Sequence, residues 1–380
     1  MASRMNIRFC HSQDGVRIAY SVTGSGPPLI RISNWLTHLE LDIENPIWSS
    51  WFGKFSNGYQ FIRYDPRGTG LSSREVDKFS LDTWVQDLEA VINDCGFERV
   101  DLLGFCQGGP VAIAYAARHP ERVNRMVLYD SFVQGAFACE GSSDISRKAK
   151  ALLSMIEVGW GQRSSAFRQV FTQLLMPHAT VEQQNWFTEM ERKSVSSENA
   201  ARLWRAFHEL DVLDLVKYIK NPTMVLHVRG DAMIPFEEGL KLASLIPGAR
   251  FIPLEGENHI LLDDEPAWEH FVTEVRGFLG TDKLPSKQDT KDLYFGLQNL
   301  TSREYEILDM VASGLSNSQI AERLCLVPKT VRNHVTNIYT KMGVNSRSQA
   351  LIFAREVGLG QYRTGFRAKN NLPQNITKIS

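Results

Sequence analysis

The 380-residue chain has five cysteines, Cys10, Cys95, Cys106, Cys139 and Cys325, and no two of them form a CxxC pair. That odd, scattered set argues against a disulfide framework and against a zinc site. No apolar run reaches the roughly 18 residues that a bilayer span requires, so no membrane segment is expected. Residues 1–10 lack the basic stretch and apolar core of a secretion signal, which makes the cytoplasm the expected compartment. Neither sign of charge dominates, since the formal net charge is only -1. No metal or cofactor motif is present, and none is expected to be bound.

The near-zero charge conceals an asymmetry. Residues 300–380 hold eleven Lys/Arg against five Asp/Glu, a net +6, which leaves -7 for the residues before them. A basic end on an acidic body points to a polyanionic partner for that end alone. With 43% hydrophobic and 22% charged residues the chain is globular in composition, and its length suits two domains.

From about residue 27 to 279, short β-like runs (29–33, 61–64, 100–103, 125–129, 223–228 and 251–254) alternate with amphipathic stretches. This rhythm predicts an α/β domain over 1–280, a parallel sheet covered by helices. Residues 135–214 break the rhythm with helix-like sequence containing Trp160, Phe167, Phe171, Met176, Trp186 and Trp204, which predicts an inserted helical cap. A polar tether is expected at 281–299, an all-α domain at 300–361 and a polar tail at 362–380.

Residues 100–109 read VDLLGFCQGG, a buried strand running into G-x-C-x-G-G and then a helix. A residue forced into so tight a strand-to-helix turn needs neighbours without side chains, and Gly104 and Gly108 supply them. Cys106 is thereby presented at a helix N-terminus, where negative charge on sulfur is favoured. The run resembles the nucleophile elbow of the α/β-hydrolase family, which usually has Ser at this point. The resemblance extends over residues 10–280: Tyr64 to Ser72 (YDPRGTGLS) resembles the family's D-x-R-G-x-G-x-S turn, Gly230-Asp231 its acid-bearing loop, and Gly256 to His259 its histidine loop. It implies a triad of Cys106 as nucleophile, His259 as base and Asp231 as the carboxylate that fixes the imidazole. Asp130, at the end of the strand before the cap, is the alternative acid. The family's geometry places one oxyanion donor on the Gln107 N–H and the other after the first parallel strand, where Ser33-Asn34 replaces the usual His-Gly and the matching position is Trp35. Residues 34–40 (NWLTHLE) also resemble a subgroup in which a hydrolase-like domain is coupled to regulatory output.

At the other end, Thr301 to Glu304 and Ser316 to Gln319 form capping boxes, each opening a helix with apolar residues on one face. A third helix is predicted from about Pro328 to Met342. Its buried face carries Val331, Val335, Ile338 and Met342, and its outer face carries Lys329, Thr330, Arg332, Asn333, Thr336 and Asn337. A donor-rich outer face of this kind suits the major groove of double-stranded DNA. The run LTSREYEIL, GLSNSQIA, KTVRNHVTNIYTK and SRSQA closely resembles the LuxR-type helix-turn-helix module. The resemblance implies base or phosphate contacts from Lys329, Arg332, Asn333 and Thr336, a position near the DNA backbone for Lys341, and a fourth helix at 346–357 used for dimer contacts. Val327 departs from the family's Ser or Thr N-cap, and Pro328 at the first helical position partly offsets that loss. Two functions follow. One is a homodimeric transcription regulator on a two-fold symmetric operator, controlled by a small apolar, acyl or ester-like ligand. The other is an active Cys-dependent ester or lactone hydrolase that uses its DNA-binding end for autoregulation.

Overall fold

The computed structural model describes residues 6–32, 34, 36–139, 144–162, 164, 166–280, 297, 299–342, 344, 347, 350, 354 and 359. The chain divides into two compact units, Met1–Trp268 and Glu269–Ser380. The division falls within helix α10 (Pro266–Leu279), which the sequence reading placed wholly in the first domain. The predicted tether at 281–299, apart from Leu297 and Asn299, and the predicted tail at 362–380 lie outside the described residues.

The first unit is built on an eight-stranded sheet of order β1-β2-β4-β3-β5-β6-β7-β8. Strands β3 (Pro28–Ile32), β4 (Gln60–Tyr64), β5 (Val100–Phe105), β6 (Val123–Tyr129), β7 (Thr223–Val228) and β8 (Arg250–Leu254) run parallel, as the alternating pattern predicts. The hairpin of β1 (Ile7–His11) and β2 (Arg17–Thr23), which adds two antiparallel strands at one edge, was not anticipated. Its outer strand is largely exposed, with Phe9 at 47%, so it lacks the apolar run that marked the inner strands. Every residue of β5 and β7 is buried, the signature of strands covered on both faces.

Helices α3 (Leu81–Asp94) and α4 (Gly108–Arg118) join successive strands in the usual crossover manner. Ser80 starts α3 with a capping box closed by Thr83. The predicted cap is four helices between β6 and β7: α5 (Asp144–Gly159), α6 (Ala166–Leu175), α7 (Val181–Ser194) and α8 (Ser197–His208). The excursion leaves and rejoins the sheet at one place, where Gly135 N donates to Leu210 O (2.7 Å) and Val212 N to Val133 O (3.0 Å). Trp160, Phe171 and Trp204 pack edge to face at 5.5 Å, so the cap aromatics form its own small core.

In the second unit, α11 (Ser302–Ala312), α12 (Asn317–Arg323) and α13 (Pro328–Met342) match the three predicted helices, and both capping boxes are present. Ile307, Leu308, Val311, Ile320, Val331, Val335, Ile338 and Met342 meet in one buried cluster. Of the predicted fourth helix, Arg347, Ala350 and Ala354 are helical, and its remaining positions lie outside the described residues. No helix among the described residues is long and apolar enough to cross a membrane.

Candidate active site and DNA-binding face

Cys106 follows β5 directly and adopts φ +52, a left-handed conformation that non-glycine residues rarely take and that stores strain at functional sites. The glycines around it are required by sterics. A Cβ on Gly108 would lie 1.9 Å from the Ile32 carbonyl oxygen, and one on Gly109 would lie 1.8 Å from Ser131 Oγ. The turn is locked by Gly109 N donating to Cys106 O (3.0 Å), by Ser131 Oγ donating to the same carbonyl (2.9 Å), and by Cys106 N donating to Tyr129 O (3.0 Å). Gln107 occupies the N-cap position of α4, at the positive end of the helix dipole. Trp35, the other expected oxyanion donor, lies outside the described residues, as does Ser33.

His259 and Asp231 come together as the family resemblance implies. His259 Nδ1 donates to Asp231 Oδ2 at 2.7 Å, and both side chains are fully buried. The other carboxylate oxygen, Oδ1, accepts from Met233 N (2.7 Å) and Ile234 N (3.2 Å), which leaves Oδ2 to face the imidazole. Burial opposes a charge on His259, but the Asp231 carboxylate and the Cys106 sulfur outweigh it and hold the imidazole well above its ordinary range. The second ring nitrogen, Nε2, is buried and has no hydrogen bond among the described residues.

Two further groups join this cluster: Asp130, the alternative acid, and His227, which the sequence did not single out. Asp130, also left-handed at φ +42, places Oδ2 3.7 Å from His259 Nδ1. His227 brings Nε2 to 3.8 Å from Asp130 and 3.9 Å from Asp231 while donating to Ile234 O at 3.0 Å. Burial keeps His227 below the usual histidine range, so it is neutral in this setting. The only sequence signal for Asp130 was its place at a strand end, and His227 reads simply as an interior position of β7.

The Asp-Pro-Arg-Gly turn supports the site from behind. Buried Arg67 donates to both oxygens of Asp87 (2.8 and 2.7 Å) and both oxygens of Asp14 (2.6 and 3.1 Å), tying the turn to α3 and to the β1–β2 hairpin. Asp65 accepts from Leu39 N (3.2 Å) and Leu71 N (2.8 Å), which joins this turn to the segment after β3. The cap is fastened to the same framework: Gly70 N donates to Ser194 O (2.8 Å), and His178 pairs with Glu257 (2.8 Å) two residues before His259.

On α13, Lys329, Arg332, Asn333, Thr336 and Asn337 are exposed and Thr330 is half-buried, while Val331, Val335, Ile338 and Met342 face inward. Thr336 Oγ1 donates back to Arg332 O (3.0 Å), so its hydroxyl keeps its acceptor capacity for an outside partner. Lys341 is also exposed, but its Nζ lies 2.7 Å from Glu304 Oε2, which anchors the end of α13 to the capping box of α11. Burial acts to raise the Glu304 carboxyl, yet Lys341 and the Thr301 N–H prevail and hold it below its usual range. Val327 O accepts from Thr330 N (2.9 Å) and Val331 N (3.3 Å), so α13 begins as predicted without a side-chain cap.

Known proteins divide along the same line. Residues 45–266 match the alpha/beta hydrolase fold family, and residues 298–354 match the bacterial regulatory proteins of the luxR family. AB hydrolase superfamily protein YisY of Bacillus subtilis (strain 168) is 27% identical over 256 residues, 66% of this chain and 91% of that protein. The DNA-binding transcriptional activator DevR/DosR of Mycobacterium tuberculosis (strain ATCC 25618 / H37Rv) is 35% identical over 151 residues, 39% of this chain and 61% of that protein. Among solved structures, a bromoperoxidase from Bacillus anthracis superposes with a TM-score of 0.58 at 21% identity, covering 72% of this chain and 99% of that one.

Proposed function

The chain belongs to the α/β-hydrolase-fold family and carries a LuxR-family DNA-binding domain, and from that premise we propose a transcription regulator controlled by a small acyl- or ester-like molecule captured at Cys106. The observation that carries this reading is the strained Cys106 turn set against the buried His259–Asp231 pair, on a chain whose other unit presents a donor-rich helix.

In the proposed chemistry the Cys106 thiolate attacks the acyl carbonyl, with negative charge on its oxygen received by the Gln107 N–H and, from the family's geometry, the Trp35 N–H. As the tetrahedral adduct collapses, the carbon–oxygen bond to the leaving alcohol breaks, and His259 gives that oxygen its proton. The acyl group then rests on sulfur as a thioester. Asp231 orients the imidazole throughout and stabilises its charged form. The acylated first domain, placed at 1–280 with its cap at 135–214, signals through the segment 281–299 to a DNA-binding domain at 300–361. Residues 346–357 mediate a homodimer, which reads a two-fold symmetric operator through Lys329, Thr330, Arg332, Asn333, Thr336 and Asn337, with Lys341 near the phosphates. The protein acts in the cytoplasm.

A second reading, an ester or lactone hydrolase with autoregulation, is supported by the intact Asp231–His259 bond, because the same imidazole can activate water to release the acyl group. Intact-mass analysis and product release, measured together on a panel of p-nitrophenyl esters, separate the two. The regulator predicts one acyl group retained on Cys106, absent in Cys106→Ala, with release limited to a single equivalent. Steady release over many equivalents transfers the assignment to the hydrolase, and no adduct with no release from any ester refutes both.

A further inference from the structure

The face of the sheet covered by α2 (Trp48–Ser56) carries two charged side chains where apolar ones are the rule. Arg31 on β3 and Arg63 on β4 are partners in the parallel register, and they are only 1% and 3% exposed. Aromatic rings of α2 and β5 pack on both guanidinium groups. Arg31 Cζ lies 3.9 Å from the Trp48 ring centre, 5.7 Å from that of Trp51 and 5.5 Å from that of Phe105, and Arg63 Cζ lies 3.6 Å from that of Phe52. Such packing leaves the N–H groups, which lie in the guanidinium plane, to be met at the edge. Asp42, on α1 (Leu41–Glu44), stands 3.5 Å from Arg63 Nη1. Arg31 Nε and Nη2 are buried without a hydrogen bond among the described residues, and so are two further donors of the same crossover, Asn45 Nδ2 and Trp48 Nε1. Asn45 Oδ1 already accepts from Ile47 N (2.8 Å), so its amide nitrogen is the group left over.

We propose that Arg31, with Asn45 and Trp48, forms a buried site for a small monovalent anion of the chloride class. The acceptor left open beside these donors, Asp42 Oδ1, belongs to a carboxylate that already faces Arg63. Burial pushes that carboxyl up to about 7 in spite of both arginines, so at neutral pH it carries only part of a charge. Burial also draws the Arg31 guanidinium down to about 9, with Asp42 opposing the fall and the like charge of Arg63 adding to it. Arg31 thus stays protonated at neutral pH, a buried cation with two nitrogens unmet. Water would satisfy those donors and leave the charge; an anion answers both, and hydrogen bonds between charged groups are the stronger kind. A monatomic anion also imposes no directional geometry, whereas phosphate would require more donors than Arg31, Asn45 and Trp48 supply. The Phe105 ring that flanks Arg31 lies 5.1 Å from the His259 ring, so the anion supports the wall of the candidate active site without touching its reacting atoms.

The test is urea unfolding of the full-length protein at neutral pH, followed by tryptophan fluorescence, in sodium chloride and in sodium gluconate of equal ionic strength. Gluconate matches the charge of chloride and is too bulky for a site closed by these side chains. Chloride at about 0.5 M is expected to raise the folding equilibrium constant at least about fivefold over gluconate, growing as one plus the chloride concentration over its dissociation constant. Arg31→Met, which keeps an unbranched side chain and removes the charge, is expected to give the same value in both salts, whatever its own stability. The inference is overturned if the unaltered protein is equally stable in the two salts, or if Arg31→Met keeps the chloride gain. Should Arg31→Met fail to fold, crystals of the unaltered protein grown in sodium bromide decide. An anomalous bromide signal within about 3.5 Å of Arg31 Nε or Nη2 supports the site, and its absence there, whether or not bromide binds elsewhere, excludes it.

Discussion

Gly108→Ala tests the elbow geometry with a single methyl group. The new Cβ would lie 1.9 Å from the Ile32 carbonyl oxygen and 2.6 Å from its carbon, both backbone atoms. Carbon and oxygen ordinarily approach to about 3.3 Å, so α4 and the end of β3 must separate by more than about 1 Å. That movement is resisted on both sides, because β3 is hydrogen-bonded to β4 and to β5, the latter with Ile32 paired to Gly104. Overpacking against a rigid backbone puts the expected loss at the upper end of the usual range, about 3 kcal/mol. Gly53→Ala in α2 (Trp48–Ser56) supplies the opposite sign: its Cβ would meet nothing within 4 Å, and alanine is the better helix former by about 0.5–1 kcal/mol. All eight tryptophans precede residue 269, so urea unfolding followed by tryptophan fluorescence reads the first unit alone. A Gly108→Ala midpoint equal to that of the unaltered protein, with Gly53→Ala no higher, would contradict the steric account of the turn.

The other predictions concern pH and DNA. Burial pushes buried Asp101 up to about 6, against the partial opposition of Arg125. A raised acid favours folding only while it stays protonated, so stability should fall as pH rises from about 4 through about 6. Asp101→Asn keeps the acceptor for Arg125 N, and it should raise stability above pH 6 by about 3 kcal/mol and change little below pH 4; a penalty at neutral pH would reverse the sign of the argument. On an operator selected from randomised DNA, Arg332→Ala should weaken specific binding by about 1–3 kcal/mol and leave non-matching DNA nearly unaffected. Lys341→Ala should weaken binding to all sequences, lower the salt slope by about 1 and soften the second unit by releasing Glu304; equal loss for the two variants on every sequence would refute the division of roles. Ile338→Ala, which opens the buried face of α13, should cost about 2–4 kcal/mol and abolish specific binding without touching an exposed donor.

The DNA-binding unit was almost wholly legible in the sequence because its determinants are local. Each capping box spans four residues, and the Val331-Val335-Ile338-Met342 stripe fixes both the axis and the outward face of α13. The elbow was legible for a similar reason, since strand, glycines and cysteine are contiguous. What escaped the reading depends on which strands become neighbours. Asp130 was legible as an alternative acid at its strand end, but His227 meets Asp130 and Asp231 only because β6 lies beside β7, and Arg67 finds Asp14 and Asp87 from separate elements. The ion pair of Lys341 with Glu304 was not legible either, because it joins two helices 37 residues apart in the chain. The exposed β1 strand lacked the buried apolar run that marks inner strands.

Chemistry at Cys106 should change how the second unit holds DNA. Its most direct test is fluorescence anisotropy of the selected operator with full-length protein, before and after acylation by the p-nitrophenyl ester that leaves an adduct, alongside Cys106→Ala under the same treatment. Acylation of the unaltered protein is expected to change operator affinity at least about tenfold, or about 1.4 kcal/mol, with no change in the variant. A fully acylated Cys106 with operator affinity unchanged would contradict it.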